Sequence, residues 1–227
     1  MYKPFEAFHV TDRFISVIGS GGKTTLLRRL AQRLPGTVIL TTSTHMFPFP
    51  DLPLVETGGE ASGENRRRVW KEMRTALERH RVICLGQRQP SGKLSDPSAE
   101  APFEALLAVA DFVVVEADGA AGHPLKAHRP WEPVVPPCSE MTVCVVGASG
   151  IGQPASRACH CPERFCALAG SDPGEPVQPE HVAAVLNREA LAKCYLVNQA
   201  DALPDPAVAR RLCELINGDA FPCVLGR

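Results

Sequence analysis

The chain alternates between short, almost wholly apolar runs and longer segments in which apolar residues recur every three or four positions. The short runs are typical of strands buried in a parallel sheet, and the longer pattern is typical of helices that bury one face. The runs predict strands at residues 13–18, 37–42, 81–86, 112–119, 141–147 and 194–198. The longer pattern predicts helices at residues 24–34, 64–80, 103–110, 179–192 and 206–216, and a short helix within 159–170. This alternation predicts an α/β fold with a mainly parallel sheet between layers of helices.

Length and composition limit the number of domains and the kinds of partner that we expect. Its 227 residues predict a single domain over residues 1–227, with a core at 13–148 and a C-terminal part at 149–227 that completes the sheet. Residues 1–13 are predicted to form an irregular lead-in or an edge strand. A net charge of −1 argues against nucleic acid as the main partner and gives no sign of membrane binding. Since no apolar run is long enough to span a bilayer, we expect a cytoplasmic protein.

A glycine-rich turn follows the first predicted strand. It consists of Gly19, Ser20, Gly21 and Gly22, and the next helix opens with Lys23, Thr24 and Thr25. Backbone N–H groups of such a turn and the helix N-terminus can hold phosphate, while the lysine reaches the outer phosphates and the first threonine ligates Mg²⁺. The spacing is unusual, because the first glycine of G-x-x-x-x-G-K-[ST] would fall at Val17. We nevertheless favour a P-loop NTPase-like site for ATP or GTP over a tight turn with a chance lysine.

Two carboxylates end the most apolar predicted strand. Glu116 and Asp118 are two positions apart, so they would share one face if the strand continued through both. Next to a phosphate loop they could hold Mg²⁺ or orient a nucleophile, and with Lys23 they are the candidate catalytic residues. The alternative for Asp118 is an ordinary turn position before Gly119. Thr42 and His45 follow another strand and could contact phosphate, or they could simply satisfy a serine- and threonine-rich turn.

The last predicted strand ends in Asn198, and Asp201 lies three residues later. The spacing resembles the N-K-x-D signature with which GTP-binding proteins read guanine, although Gln199 replaces the lysine. These two residues are therefore candidates for contacts to the nucleotide base, and the alternative is a strand-end turn. Whether ATP or GTP binds stays open.

Nine cysteines are numerous for this length, and three lie close together. Cys159, Cys161 and Cys166 could act as soft metal ligands. The spacing lacks the paired C-x₂-C of zinc sites, so buried structural cysteines are the favoured interpretation.

Taken together, these motifs resemble the selenium-dependent hydroxylase accessory protein family known as YqeC. The matching stretches are residues 19–25, 41–47, 116–119, 124–126, 146–147, His160 with 162–163, and 198–201. The resemblance implies a nucleotide-binding protein that serves the maturation of molybdenum hydroxylases with a labile selenium cofactor. Its partners would be such a hydroxylase or other selenium-cofactor maturation proteins. It also makes Lys126 and His160 candidate substrate contacts.

Three functions remain compatible with these residues. The first is a Mg²⁺-dependent NTPase that couples nucleotide binding or hydrolysis to selenium insertion or cofactor delivery. The second is an ATP-dependent small-molecule kinase or a ligase, since the shortened glycine loop is similar to that of the Mur-type ligases. The third is a non-catalytic scaffold that nucleotide switches between states.

Overall fold

The structure, a computed structural model, describes residues 12–58 and 62–226. The lead-in predicted at residues 1–13 therefore lies outside the described residues except for its last two. Twelve strands occur in the described ranges: β1 (Phe14–Gly19), β2 (Val38–Thr42), β3 (His45–Met46), β4 (Leu54–Glu56), β5 (Val82–Arg88), β6 (Leu94–Ser95), β7 (Phe112–Glu116), β8 (Leu125–Lys126), β9 (Met141–Gly147), β10 (Cys159–His160), β11 (Cys194–Asn198) and β12 (Asp219–Pro222). The α-helices are α1 (Lys23–Arg33), α2 (Gly63–Arg79), α3 (Ala155–Ala158), α4 (Pro162–Ala169), α5 (Pro179–Glu189) and α6 (Pro206–Leu215). A 3₁₀ helix spans Phe103–Ala108.

One large sheet organises the fold. Its strand order is β12-β11-β9-β1-β7-β2-β5-β6-β3, and β4 also pairs with β5. The pairs from β12 to β5 are parallel, whereas β6 is antiparallel to β5 and β3. β1 lies between β7 and β9, so the glycine-rich turn leaves the centre of the sheet. The described chain is thus mixed α/β with a mainly parallel sheet flanked by helices, which confirms the predicted fold class.

Successive side chains of each strand point to opposite faces of the sheet, so the hydrophobic core is divided between the two faces. Ile15 and Val17 pack in the cluster that contains Leu26 and Leu30 of α1. On the opposite face, residues of α4, α5 and α6 pack against β9 and β11, and residues of α2 pack against β2, β5 and β7. The sheet is therefore the middle layer of three.

Sequence signals explain how the helices begin. The Ser62 side chain accepts a hydrogen bond from the Asn65 N–H at the start of α2, a standard N-cap interaction. Proline occupies the first position of α4, α5 and α6, where its missing N–H is not needed. α1 begins directly after Gly22 without a side-chain cap, so the N–H groups of its first turn face the glycine-rich turn.

The structure corrects several predicted boundaries. The strand predicted at 112–119 ends at Glu116, and the helix predicted at 103–110 is the 3₁₀ helix Phe103–Ala108. β12 has no counterpart among the predicted strands, because only two apolar residues lie between the aspartate and the proline at its ends. Within residues 12–58 and 62–226, no helix combines the length and the apolar character needed to cross a membrane.

Candidate functional site

The glycine-rich turn has a backbone shape that side chains would oppose. Gly19, Gly21 and Gly22 have φ angles of 89°, 75° and 137°, a range in which glycine is strongly favoured. Close packing adds a second constraint, because a Cβ atom on Gly21 would lie 2.4 Å from the Gly147 Cα atom. The turn therefore requires glycine at Gly21 both for its φ angle and for its contact with the end of β9.

Hydrogen bonds from distant residues fix this turn in place. The Ser20 N–H donates to the Val145 carbonyl at 2.8 Å, and the Ser20 hydroxyl donates to the Pro124 carbonyl at 2.7 Å. The Gly19 N–H donates to the Asp118 Oδ2 atom at 3.0 Å. The Asn198 amide donates to the Gly21 carbonyl at 2.7 Å. These contacts preorganise the turn through four separate parts of the chain.

A cleft of about 520 Å³, which we call the loop cleft, opens at the turn. Seven residues that the sequence singles out line it: Gly21, Gly22, Lys23, Thr24, Thr25, His45 and Glu116. Phe47, Lys93 and residues 119–123 form the far side, and Gln199 is also part of the lining. The fold thus brings the first turn of α1 and the carboxyl end of β7 to one cavity, as expected for the ends of parallel strands.

Glu116 is a buried carboxylate in the wall of the loop cleft. Glu116 is the last residue of β7 and is 8% exposed. Its Oε2 atom has no hydrogen-bond partner among the described residues. Burial raises the pKa of Glu116 to about 7, and the charge of Asp118 adds to this effect while Lys23 opposes it. A buried carboxylate oxygen without a partner is costly, so this site favours a cation or a proton.

Asp118 has very different surroundings. It is fully buried, and its carboxylate lies 3.2 Å from Lys23 Nζ, 3.2 Å from Lys126 Nζ and 2.8 Å from His128 Nε2. Burial alone would raise the pKa of Asp118. The hydrogen bond with His128 and the charges of Lys23 and Lys126 outweigh burial and lower that pKa to about 2. Asp118 is therefore an ionised counterion for buried cations.

These contacts bear on the predicted Mg²⁺ role of Asp118. Three cationic groups and the Gly19 N–H already surround its carboxylate, and a divalent cation would face their repulsion. The alternation argument also does not hold at this position, because β7 ends at Glu116 and the backbone of Asp118 is irregular. The geometry favours Glu116 over Asp118 as a metal ligand and gives Asp118 a positioning role.

His128 extends this network and is absent from the residues that the sequence singles out. Its Nε2 atom lies 2.8 Å from Asp118 Oδ2, and its Nδ1 atom lies 2.7 Å from Glu189 Oε2. Because both ring nitrogens face carboxylates, both must donate, which requires the imidazolium form. Burial lowers the pKa of His128, but the hydrogen bonds to Asp118 and Glu189 outweigh burial and raise it above its ordinary value.

The side chain of Asn198 is buried and hydrogen-bonded at both ends of its amide. It is 4% exposed, its Nδ2 atom donates to the Gly21 carbonyl, and its Oδ1 atom accepts from the Leu225 N–H at 2.8 Å. Asp201 is exposed and lines a separate, more apolar depression beside α6. Contact between Asn198 and a base would compete with both hydrogen bonds, so its position fits the strand-end alternative better than base recognition.

The remaining candidates occupy different surroundings. Thr42 is buried, and its hydroxyl donates to the Glu116 carbonyl at 2.8 Å, so it supports the end of β7. Lys126 is buried beside Asp118, and its ammonium lies 3.0 Å from the carboxylate of the partly buried Glu132. His45 faces the loop cleft, whereas His160 lines a neighbouring cleft.

The cysteines of the predicted cluster are free thiols. Cys159 and Cys166 are buried, and Cys161 is partly buried. In the described ranges, no group of three or more histidine, cysteine, aspartate or glutamate side chains is arranged to hold a metal ion. Burial raises the pKa of the Cys159 thiol to about 12, which disfavours its thiolate.

The fold and the site define an α/β protein with a preorganised glycine loop beside a buried carboxylate. The sequence profile described as YqeC protein matches residues 15–163, and the chain belongs to this family. A protein of Escherichia coli (strain K12) named "Uncharacterized protein YqeC" is 31% identical over 180 residues. The match covers 76% of this chain and 66% of that protein, so the chain spans just under two thirds of its relative's length. No solved structure matches the chain.

Proposed function

We propose that this protein binds a Mg²⁺-nucleoside triphosphate, ATP or GTP, in the loop cleft and hydrolyses it. One observation carries the proposal: Gly21, Gly22, Lys23 and Glu116 line a single cavity, and a carboxylate oxygen of Glu116 has no hydrogen-bond partner among the described residues. Backbone N–H groups at the start of α1 and the Lys23 ammonium complement phosphate charge. The Glu116 carboxylate would repel phosphate groups in the same cleft unless a cation lay between them.

The residues present fit Mg²⁺. The Glu116 carboxylate and the Thr24 hydroxyl are hard oxygen donors of the kind that this ion prefers, and both line the loop cleft. When bound, the ion would neutralise charge on the phosphate oxygens. Lys23 lies 2.7 Å from the Gly19 carbonyl and 3.2 Å from Asp118, so its ammonium is held beside the loop by two anionic or polar oxygens. Asp118 thereby positions Lys23 and the Gly19 N–H together.

We extend the proposal to a cellular role as an accessory factor in the maturation of selenium-dependent molybdenum hydroxylases. This part rests on the motif resemblance within the YqeC family and on no contact in the structure. A second candidate, transfer from ATP to a small molecule as in a kinase or ligase, is favoured by a further cleft that adjoins the loop cleft. A non-catalytic nucleotide switch is the outcome if nucleotide binds without turnover.

The test is isothermal titration of the purified chain with ATP, GTP and their diphosphates, with and without Mg²⁺. We expect binding that needs Mg²⁺ for the triphosphates, loss of binding in Lys23→Ala, and loss of the Mg²⁺ effect in Glu116→Gln. Lys71→Ala, an exposed lysine on α2, is the matched control and should bind as the wild type does. Circular dichroism would show that each variant is folded. Equal nucleotide affinity in folded Lys23→Ala and wild-type protein would refute the proposal.

A further inference from the structure

A second cleft adjoins the loop cleft. It has a volume of about 510 Å³, and His123 lines both cavities. β10 pairs with β8, which places His160 directly beside Lys126 in the register. The second cleft is therefore built on the segment that also carries the Asp118 network. We call it the basic cleft.

Arginine and histidine side chains account for most of the ionisable groups in its lining. Arg129, Arg164, His123 and His160 face it, with Glu163 as the acidic residue of the lining. Two contacts orient the arginines: Arg164 Nε donates to the His128 carbonyl, and the Arg129 guanidinium lies 5.8 Å from the centre of the Trp131 ring. Guanidinium groups suit carboxylate and phosphate, because they can donate paired hydrogen bonds to the oxygens of either group.

Two of the lining residues are histidines that lie next to each other. His123 Nδ1 lies 3.2 Å from the Arg157 carbonyl and so donates to it, and the His123 and His160 rings are 6.1 Å apart. Burial lowers the pKa of His160, and the charges of Lys126 and Arg129 lower it further while Glu132 opposes them. Burial is the largest cause of this lowering and the nearby cations add to it, so a bound anion would offset part of the positive charge around His160.

We propose that the basic cleft binds a small molecule bearing a phosphate or carboxylate group beside the nucleotide, where it would be the acceptor in the second candidate function. The substrate role rests on the proposed nucleotide function, whereas the anion site itself does not. A ligand held by Arg129 and His160 would reach the loop cleft past His123. The arrangement gives the kinase-like or ligase-like candidate a binding site for an acceptor.

Histidine NMR of the full chain tests the anion site directly. Inorganic phosphate and acetate are titrated separately while the imidazole signal of His160, assigned with His160→Gln, is followed. We expect a saturable shift, and an apparent Kd about tenfold higher in Arg129→Gln because a charged hydrogen bond is lost. Arg67→Gln, an exposed arginine on α2, is the matched control and should leave the Kd unchanged. A response to phosphate but not acetate would identify the ligand as a phosphate compound, and the reverse would identify a carboxylate.

The same titration in Lys23→Ala separates this inference from the proposed function. Phosphate should still shift the His160 signal there, because His160 lines the basic cleft and Lys23 lines the loop cleft. If wild-type protein binds no nucleotide while His160 still responds, the nucleotide function fails and the anion site stands. No saturable shift with either anion, or an unchanged Kd in Arg129→Gln, would overturn the inference.

Discussion

Replacing Asp118 by asparagine should destabilise the protein far more than the removal of a solvent-exposed charge would. The substitution keeps the shape of the side chain but removes the negative charge that Lys23, Lys126 and His128 share. It would leave these cations buried together without their common counterion. Removing one member of a buried ion pair typically costs about 3–5 kcal/mol of folding free energy.

The lowered pKa of Asp118 leads to a similar value for this cost. A pKa of about 2 against an ordinary value of 3.8 means that the folded state prefers the ionised carboxylate by roughly 2–3 kcal/mol. Because this pKa is lowered, the contribution is present above pH 3.8 and is lost as the pH falls towards 2. The two values overlap at about 3 kcal/mol, a large share of the stability of a typical domain.

Urea unfolding at pH 7, followed by circular dichroism, measures the effect. Asp118→Asn should unfold at a markedly lower urea concentration with a similar m-value. Asp51→Asn is the matched control, because Asp51 pairs with Arg28 at 2.6 Å but is exposed to solvent, and its unfolding midpoint should barely move. Equal midpoints for Asp118→Asn and wild type would show that the buried cations do not depend on this carboxylate.

Three further predictions concern the residues around the loop. The raised pKa of His128 means that its stabilisation is complete below pH 6.5 and is lost as the pH rises through the folded-state value, so unfolding free energy should fall towards alkaline pH. His128→Gln should flatten that slope in urea titrations across pH 6–9; an unchanged slope would exclude His128 as its source. Glu116→Gln should stabilise the ligand-free protein by roughly 3 kcal/mol at pH 8, since the pKa of about 7 against 4.5 reflects a disfavoured buried charge. Urea unfolding should show that this gain shrinks at pH 5, and a gain that is the same at both pH values would contradict the argument. Asn198→Ala should weaken ATP and GTP binding by similar factors in calorimetry, because it loosens the loop; a change confined to one nucleotide would instead support base recognition.

The regular elements can be predicted because their signals are local. The apolar runs of β1, β7, β9 and β11 are buried throughout or nearly so, and the leucines of α1 recur on one face. The two-residue strands β3, β6, β8 and β10 have no such signal, because a periodic pattern needs more than two residues. They depend on partners from distant parts of the chain.

The candidate site can be predicted only where its residues follow directly from the strands. The glycine-rich turn and Glu116 follow from the order of residues along two strands, and Gly21, Gly22 and Glu116 line the loop cleft. The role of Asp118 cannot be deduced from the sequence. It depends on where β7 ends and on a contact with His128, which in turn contacts Glu189, 61 positions later in the chain. Asn198 stands out in the sequence, but its contact with Gly21 spans 177 positions and is a property of the tertiary structure.

The long reach of the loop's hydrogen bonds has a consequence for biosynthesis. The contacts to Gly19 and Gly21 come from residues 99 and 177 positions later, so the loop cannot be completed while the early part of the chain emerges from the ribosome. The strands that flank β1, which are β7 and β9, are also synthesised much later than β1 itself. A nascent or prematurely terminated chain that lacks Asn198 would hold the loop motif without its bracing contacts. Under the proposed function, nucleotide affinity would then distinguish finished molecules from incomplete ones.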